Sequence, residues 1–250
     1  MGKSPCHDNA KPLTPVGRVE PEILGDGLAG DRSYGVLDLE SRTVLSAKRV
    51  GQLLLAFARL GDAGPLLSLP GSGELGEGPA LDAALTQWLG RPSRLVGAKE
   101  HGPGTYQATT DFEHEGASVS SWQGPAGRFV DSYPIHLLTT ATLRACAAER
   151  PELEWSPRRF RPNILLEAEG AEFLEEGWVG RHLSLGEAEL QVVKPCARCV
   201  MTTRAQPGGL ERELDVLRHV HAAHASNLGV LATVVIPGMV HLGDTPELVG

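Results

Sequence analysis

Two thiols and a guanidinium fall within four residues at Cys196-Ala197-Arg198-Cys199, directly after an apolar, strand-like run containing Leu190, Val192 and Val193. A thiolate is a soft metal ligand and a strong nucleophile, and a neighbouring cation favours it over the neutral thiol. Arg198 carries a planar fork of donors that matches a phosphate or a carboxylate. One short loop thus combines groups for holding a soft metal with a group for gripping the anionic tail of a molecule that carries it. Two plainer readings stand beside this one. The pair is half of a structural zinc site, which needs two further ligands, and His219, His221 and His224 are the only histidine cluster in reach. Or it is a reversible dithiol of the CxxC kind, although the βαβ context usual for that chemistry is absent.

A second group of chemical residues is Arg158-Arg159-Phe160-Arg161-Pro162-Asn163. Alone it reads as a solvated basic patch, but its continuation into an apolar run sets Arg161 and Asn163 at the mouth of a strand. Lys48 and Arg49 follow a strand end, where one of them can turn toward an anion. Asp31-Arg32 reads as a turn with a local ion pair. His136 alternates with apolar neighbours, as a buried histidine does. His221 and His224 share a helical face that His219 does not, which reads as a wet helix surface. Trp122, Trp155 and Trp178 suit lobe packing or pocket walls better than a platform for nucleobases.

The elements that must position these groups are short. Residues 16–60 read as β-rich, with a turn at 27–32, strands at 33–39 and 43–46, and a hairpin connection at 40–42. The stretch 49–60 suits either helix or strand, and 61–79, rich in Gly and Pro, reads as loop. A short helix is expected at 81–89, stopped by Gly90-Arg91-Pro92. The polar, broken stretch 100–127 reads as a seam between two lobes. Beyond it come a strand at 133–138, a helix opened by threonine caps and ended by Pro151, and a strand at 163–168. A turn at 178–180 precedes a hairpin at 183–193. The longest helical pattern runs over 210–224, followed by strands at 228–237 and 239–242 joined through Pro237-Gly238. Many short strands with few helices predict a β-barrel-like architecture.

Composition narrows the function. With 41% hydrophobic and 22% charged residues the chain is of ordinary globular type. Thirty glycines and eighteen prolines favour turns and short strands over a helix bundle. A formal charge of -8 argues against nucleic-acid binding driven by phosphate neutralisation. No apolar run approaches the roughly 20 residues that span a bilayer, and the N-terminus has neither a secretory h-region nor a myristoylation signal. Four cysteines are too few and too uneven for a disulfide scaffold. Cys146 reads as inert packing and Cys6 as incidental. A cytoplasmic location, with no membrane partner, is the expectation.

Four motifs, in the order Gly-Leu-Ala-Gly-Asp-Arg (27–32), Leu-Ser-Ala-Lys-Arg (45–49), Arg-Phe-Arg-Pro-Asn-Ile (159–164) and Pro-Cys-Ala-Arg-Cys-Val-Met-Thr-Thr (195–203), resemble the MOSC superfamily. That family is named for the C-terminal domain of the molybdenum-cofactor sulfurase. The pattern is most similar to the bacterial two-lobe members and the mitochondrial amidoxime-reducing branch. Supporting stretches are 131–139 and 227–244. The resemblance implies a mainly β fold with a few helices: a smaller N-terminal β-rich lobe at 1–105 and a β-barrel-like MOSC domain at 106–250.

It also implies the molybdenum cofactor, a metal held by the pterin molybdopterin, with Cys199 as metal ligand and catalytic residue. Arg198 would face the pterin or phosphate, and Lys48, Arg161 and Asn163 would bind the same cofactor. Lys48 stands where the amidoxime-reducing branch carries Arg. The implied activity is two-electron reduction of N-hydroxylated or N-oxygenated small molecules. Because no ferredoxin-like cysteine cluster follows Gly250, the electrons are expected from a separate donor protein. The alternative function is that of a non-catalytic carrier of persulfide sulfur or of the cofactor. Family members open with a Tyr-Pro-Val-Lys-Ser strand. Here only Lys3-Ser4 matches, with a longer spacer to Gly27, so a missing or rebuilt first strand is expected.

Overall fold

A computed structural model describes residues 3–4, 22–109, 111, 119–170 and 172–249. Cys6, the start of the expected β-rich stretch and the middle of the expected seam lie outside them. The fold is mostly strands with short helices, as composition predicts. Among the described residues, its largest sheet has seven strands in the order Lys3–Ser4, Ile164–Leu166, Ile135–Thr139, Asn227–Ile236, Ala188–Ala197, His182–Leu185, Glu247–Val249. All neighbours are antiparallel except Ile135–Thr139 and Ile164–Leu166. A parallel pair needs a long crossover, and the helices Thr140–Glu149 and Pro157–Phe160 supply it. The strand expected to be missing or rebuilt is present as a two-residue pairing, Lys3 opposite Leu166 and Ser4 opposite Leu165.

Helix Thr140–Glu149 starts where the sequence placed its caps: the Thr139 side chain accepts from the Thr142 amide. The fully buried Glu175 carboxylate also accepts from the Thr139 amide and from the hydroxyls of Thr139 and Thr142. Helix Pro79–Leu89 ends at Gly90 in the left-handed conformation, as its stop signal predicts.

Four expectations need correction. Residues 61–79 are not loop: Gly64–Ser68 and Glu74–Gly76 form a meander with Phe57–Gly61. The alternating burial of Pro65 and Leu67 shows the strand period that turn residues on either side had masked. The 43–46 segment contributes only a bridge from Val44 to Leu37. The 210–224 pattern yields a ten-residue helix, Leu214–Ala223, one residue shorter than Pro79–Leu89. The strand expected at 239–242 is only Gly238–Met239, and it pairs with Glu22–Leu24.

The core falls into clusters that interlock across the chain. One, built around Leu53, Leu54, Leu67, Leu81 and Leu85, also takes in Met201, with Cys199 packed against it. The segment after the thiol loop is therefore seated on the core of the first half. A second cluster, centred on Ile135, Leu137, Leu190 and Val230, takes in Ile23 and Leu28 from the first half. No helix among the described residues is long and apolar enough to cross a membrane.

Candidate functional site

The thiol loop owes its position to irregularities at the end of a long strand. Ala188–Ala197 pairs with Asn227–Ile236, but the register shifts between Val192 and Lys194 and again between Pro195 and Ala197. Such bulges re-aim side chains and admit proline, which cannot donate to a regular ladder. The Arg198 amide then donates to Ser226 O at 2.7 Å, anchoring the loop to the next strand's entry. Cys199 opens a 3-10 turn, Val200–Thr203, and its carbonyl accepts from the Thr202 amide and hydroxyl at 3.1 and 3.0 Å.

In front of the loop lies a cavity of about 610 Å³, whose walls include Arg32, Lys48, Arg159, Arg161, Lys194 and Arg198 together with Cys196 and Cys199. Asp131 is its one carboxylate among the described residues. Six cations against one acid is a marked local reversal in a chain of net charge -8. Such a basin attracts and retains an anion. Its size falls within the range of small-molecule and cofactor sites.

The expected site residues divide. Lys48, Arg161, Arg198 and Cys199 all line the cavity. Arg161 does so from the left-handed region, at φ 56°, as the C-cap of helix Pro157–Phe160. Lys48 Nζ donates to Asp131 Oδ1 at 3.0 Å and lies 4.3 Å from the centre of the Trp122 ring. Its backbone carbonyl accepts from Arg204 Nη2 at 2.9 Å, which ties it to the segment after the thiols.

Asn163 is not on the cavity wall. Buried behind it, its Oδ1 accepts from the His136 amide and its Nδ2 donates to Asp31 Oδ2, both at 2.8 Å. Arg198 also faces inward with most of its donors: Nη1 reaches Cys196 Sγ at 2.9 Å and His136 Nε2 at 3.3 Å, and Nη2 donates to Phe160 O. The thiol that this guanidinium touches is therefore Cys196. Arg198 Nε is buried and hydrogen-bonds nothing among the described residues.

These contacts link motifs far apart in the chain. Asp31, Asn163, His136, Arg198 and Cys196 form one hydrogen-bonded series, drawn from the 27–32 turn, the 159–164 motif, the 131–139 stretch and the thiol loop. Gly229 makes the close packing possible. A Cβ there would stand 2.5 Å from His136 Nε2 and 2.6 Å from Leu137 O, and its φ of +76° suits glycine.

Burial, with the Arg198 charge beside it, holds His136 well below its ordinary value of 6.5, so it is neutral in the folded chain. The unfolded chain binds a proton there once pH falls below 6.5, and the folded chain does not. This contribution to stability is present above that value and is lost as pH falls below it. Melting curves between about pH 8 and pH 5 should show an acid-side loss, and His136→Gln should make that loss shallower.

Three contributors escaped the sequence reading. Arg32, which the sequence reads as one half of a turn ion pair, does lie 3.5 Å from Asp31, yet it also lines the cavity. Lys194 sits directly before the thiol motif, lines the cavity and packs its Nζ 5.3 Å from the Tyr133 ring centre. Buried Arg128 donates to the carbonyls of Leu28 and Asp31 and to Asp26 Oδ1, clamping the 27–32 turn from 100 residues away. Only the clustering of cations in or beside motifs points to the first two, and nothing local points to Arg128.

Cys146 behaves as inert packing should: burial pushes its thiol up to about 12. Alkylation of the native chain with iodoacetamide near neutral pH, mapped by peptide mass spectrometry, should mark Cys199 and spare Cys146 until the protein is denatured.

Comparison with known proteins gives a consistent family. Residues 125–247 match the family model of the MOSC domain. The mitochondrial amidoxime-reducing component 1 of Mus musculus is 26% identical over 134 residues, covering 49% of this chain and 38% of that protein. Its counterpart from Danio rerio is 28% identical over 124 residues, covering 46% and 37%. The chain thus spans less than two fifths of the length of these curated relatives. Among solved structures, YiiM from Geobacillus stearothermophilus aligns at a TM-score of 0.38 with 16% identity, over 60% of this chain and 73% of that one.

Proposed function

We propose that this chain, a MOSC protein by its domain at residues 125–247, binds the molybdenum cofactor and reduces N-hydroxylated or N-oxygenated small molecules. Electrons come from a separate donor protein. One observation carries the reading: a six-cation cavity with the Cys199 thiol on its wall. The donor set fits an anionic pterin cofactor with a soft metal, since thiolates select such metals and guanidinium forks match phosphate. The buried Arg198 Nε, with no acceptor among the described residues, adds a donor at the same wall. The amidoxime-reducing names of the two relatives point the same way.

When bound, the cofactor supplies two-electron chemistry at a metal held by sulfur. The chain's own residues do the rest. Cys199 is the ligand, standing at the start of a turn whose hydrogen bonds hold its backbone. Arg161, Lys48, Arg32 and Lys194 face the cavity and offset the cofactor's phosphate charge. Arg198 holds the loop closed against Phe160 and His136, and Asn163 braces His136 from behind. Asp131, at 42% side-chain exposure beside Lys48, is the carboxylate placed to pass protons between water and the cavity. Elemental analysis of protein made in a cofactor-competent host, followed by assay on an amidoxime with a reducing partner, tests this. Absence of molybdenum from fully folded protein refutes it.

A carrier role is the second reading, and the 2.9 Å contact from Arg198 Nη1 to Cys196 Sγ favours it. A persulfide on that sulfur would have a guanidinium donor within reach. Mass spectrometry of gently purified protein showing one added sulfur on a loop cysteine, without bound pterin, would select the carrier.

A further inference from the structure

Away from the cavity, Glu149, His219 and His224 bring one carboxylate oxygen and two imidazole nitrogens to within 4.8 Å of one another. We propose that this cluster is a binding site for a divalent cation of the zinc type, clipping together the ends of two helices. The site joins the last residue of Thr140–Glu149 to Leu214–Ala223 and its C-cap, His224. Read along the sequence, His221 and His224 share a face; in the structure His219 and His224 converge, and His221 turns to Ser226 at 2.7 Å.

The geometry is close to what an ion requires. His219 Nε2 lies 2.6 Å and His224 Nε2 2.8 Å from the same Glu149 Oε2. An ion bonded at about 2.0–2.2 Å to each donor needs donors about 3.3 Å apart. A small rotation of Glu149 provides that opening, and its side chain is 37% exposed. The imidazoles are already held: His219 stands edge-on to Trp155 at 5.6 Å, and His224 lies 4.6 Å from the Phe173 ring. Their side chains are only 13% and 10% exposed. Both helices end here, so both C-terminal dipoles favour a positive charge. Two imidazoles and one carboxylate suit zinc and its neighbours in the transition series and leave coordination positions for water. None of the three residues lines the cavity of Cys196 and Cys199, so the loop thiols and the histidines do not share an ion.

Titration calorimetry with zinc alone tests the site, using the full chain with Cys196→Ser and Cys199→Ser to remove the competing loop thiols. A single equivalent taken up, with a rise in melting temperature, is the expected result. Further replacement of His219 and His224 by alanine should abolish uptake, and Glu149→Gln, which keeps the shape, should weaken it. Cobalt bound to the double-serine chain should show visible d–d bands that disappear when the two histidines are replaced. If the folded double-serine chain takes up no zinc, or takes it up undiminished without the two histidines, the cluster is a surface ion pair and the proposal fails.

Discussion

Cys199→Ala protein, made in a cofactor-competent host, is expected to contain no molybdenum and to reduce N-hydroxy substrates no faster than a protein-free control. The loss is complete because the thiolate is the one soft ligand assigned to the metal, and no oxygen or nitrogen donor substitutes for it at that position. Cys196→Ala gives the contrasting result. Its sulfur accepts from Arg198 Nη1, so its loss loosens the loop's internal bracing while leaving the metal ligand in place, and molybdenum stays bound. Metal content by mass spectrometry, read beside melting temperature, separates the two variants. A Cys199→Ala protein that keeps its metal and activity overturns the assignment.

Asn163→Leu is the second large effect, and it falls on stability. The resemblance puts this residue in contact with the cofactor, whereas the structure puts it behind the wall. The substitution strips the His136 amide of its acceptor and the buried Asp31 carboxylate of a donor. Unsatisfied buried groups cost about 1–3 kcal/mol each, and more when charged. A loss of roughly 3–5 kcal/mol follows, which for a chain of this size lowers the melting temperature by roughly 6–20 °C. Molybdenum loading at low temperature, where the variant stays folded, should be largely kept. If instead stability is unchanged and loading is lost, Asn163 is a direct cofactor ligand.

The candidate site residues are legible because side-chain type and local order announce them. The Cys-Ala-Arg-Cys spacing, the Arg-Pro-Asn step into an apolar run and the Thr139 cap are all short-range features. Their direction was not legible. Arg198 sits one residue from Cys199 in sequence, yet its Nη1 bonds Cys196, because the register shifts before the loop turn its side chain toward His136 and Phe160. The strands at Gly64–Ser68 and Glu74–Gly76 were hidden by turn residues whose local preference is the same in a hairpin and in a loop.

By itself the sequence determined which groups exist and how the chain is locally disposed: thiols beside a guanidinium, cations in four ordered motifs, and many short strands of alternating burial. Those follow from covalent adjacency and from periods of two to four residues. Tertiary structure alone decided which groups meet. Asp31 reaches Asn163 across 132 positions, and Glu149 reaches His219 and His224 across 70 and 75. Contacts of that separation form only when sheets and helices close on a shared core, and no local pattern encodes the closure.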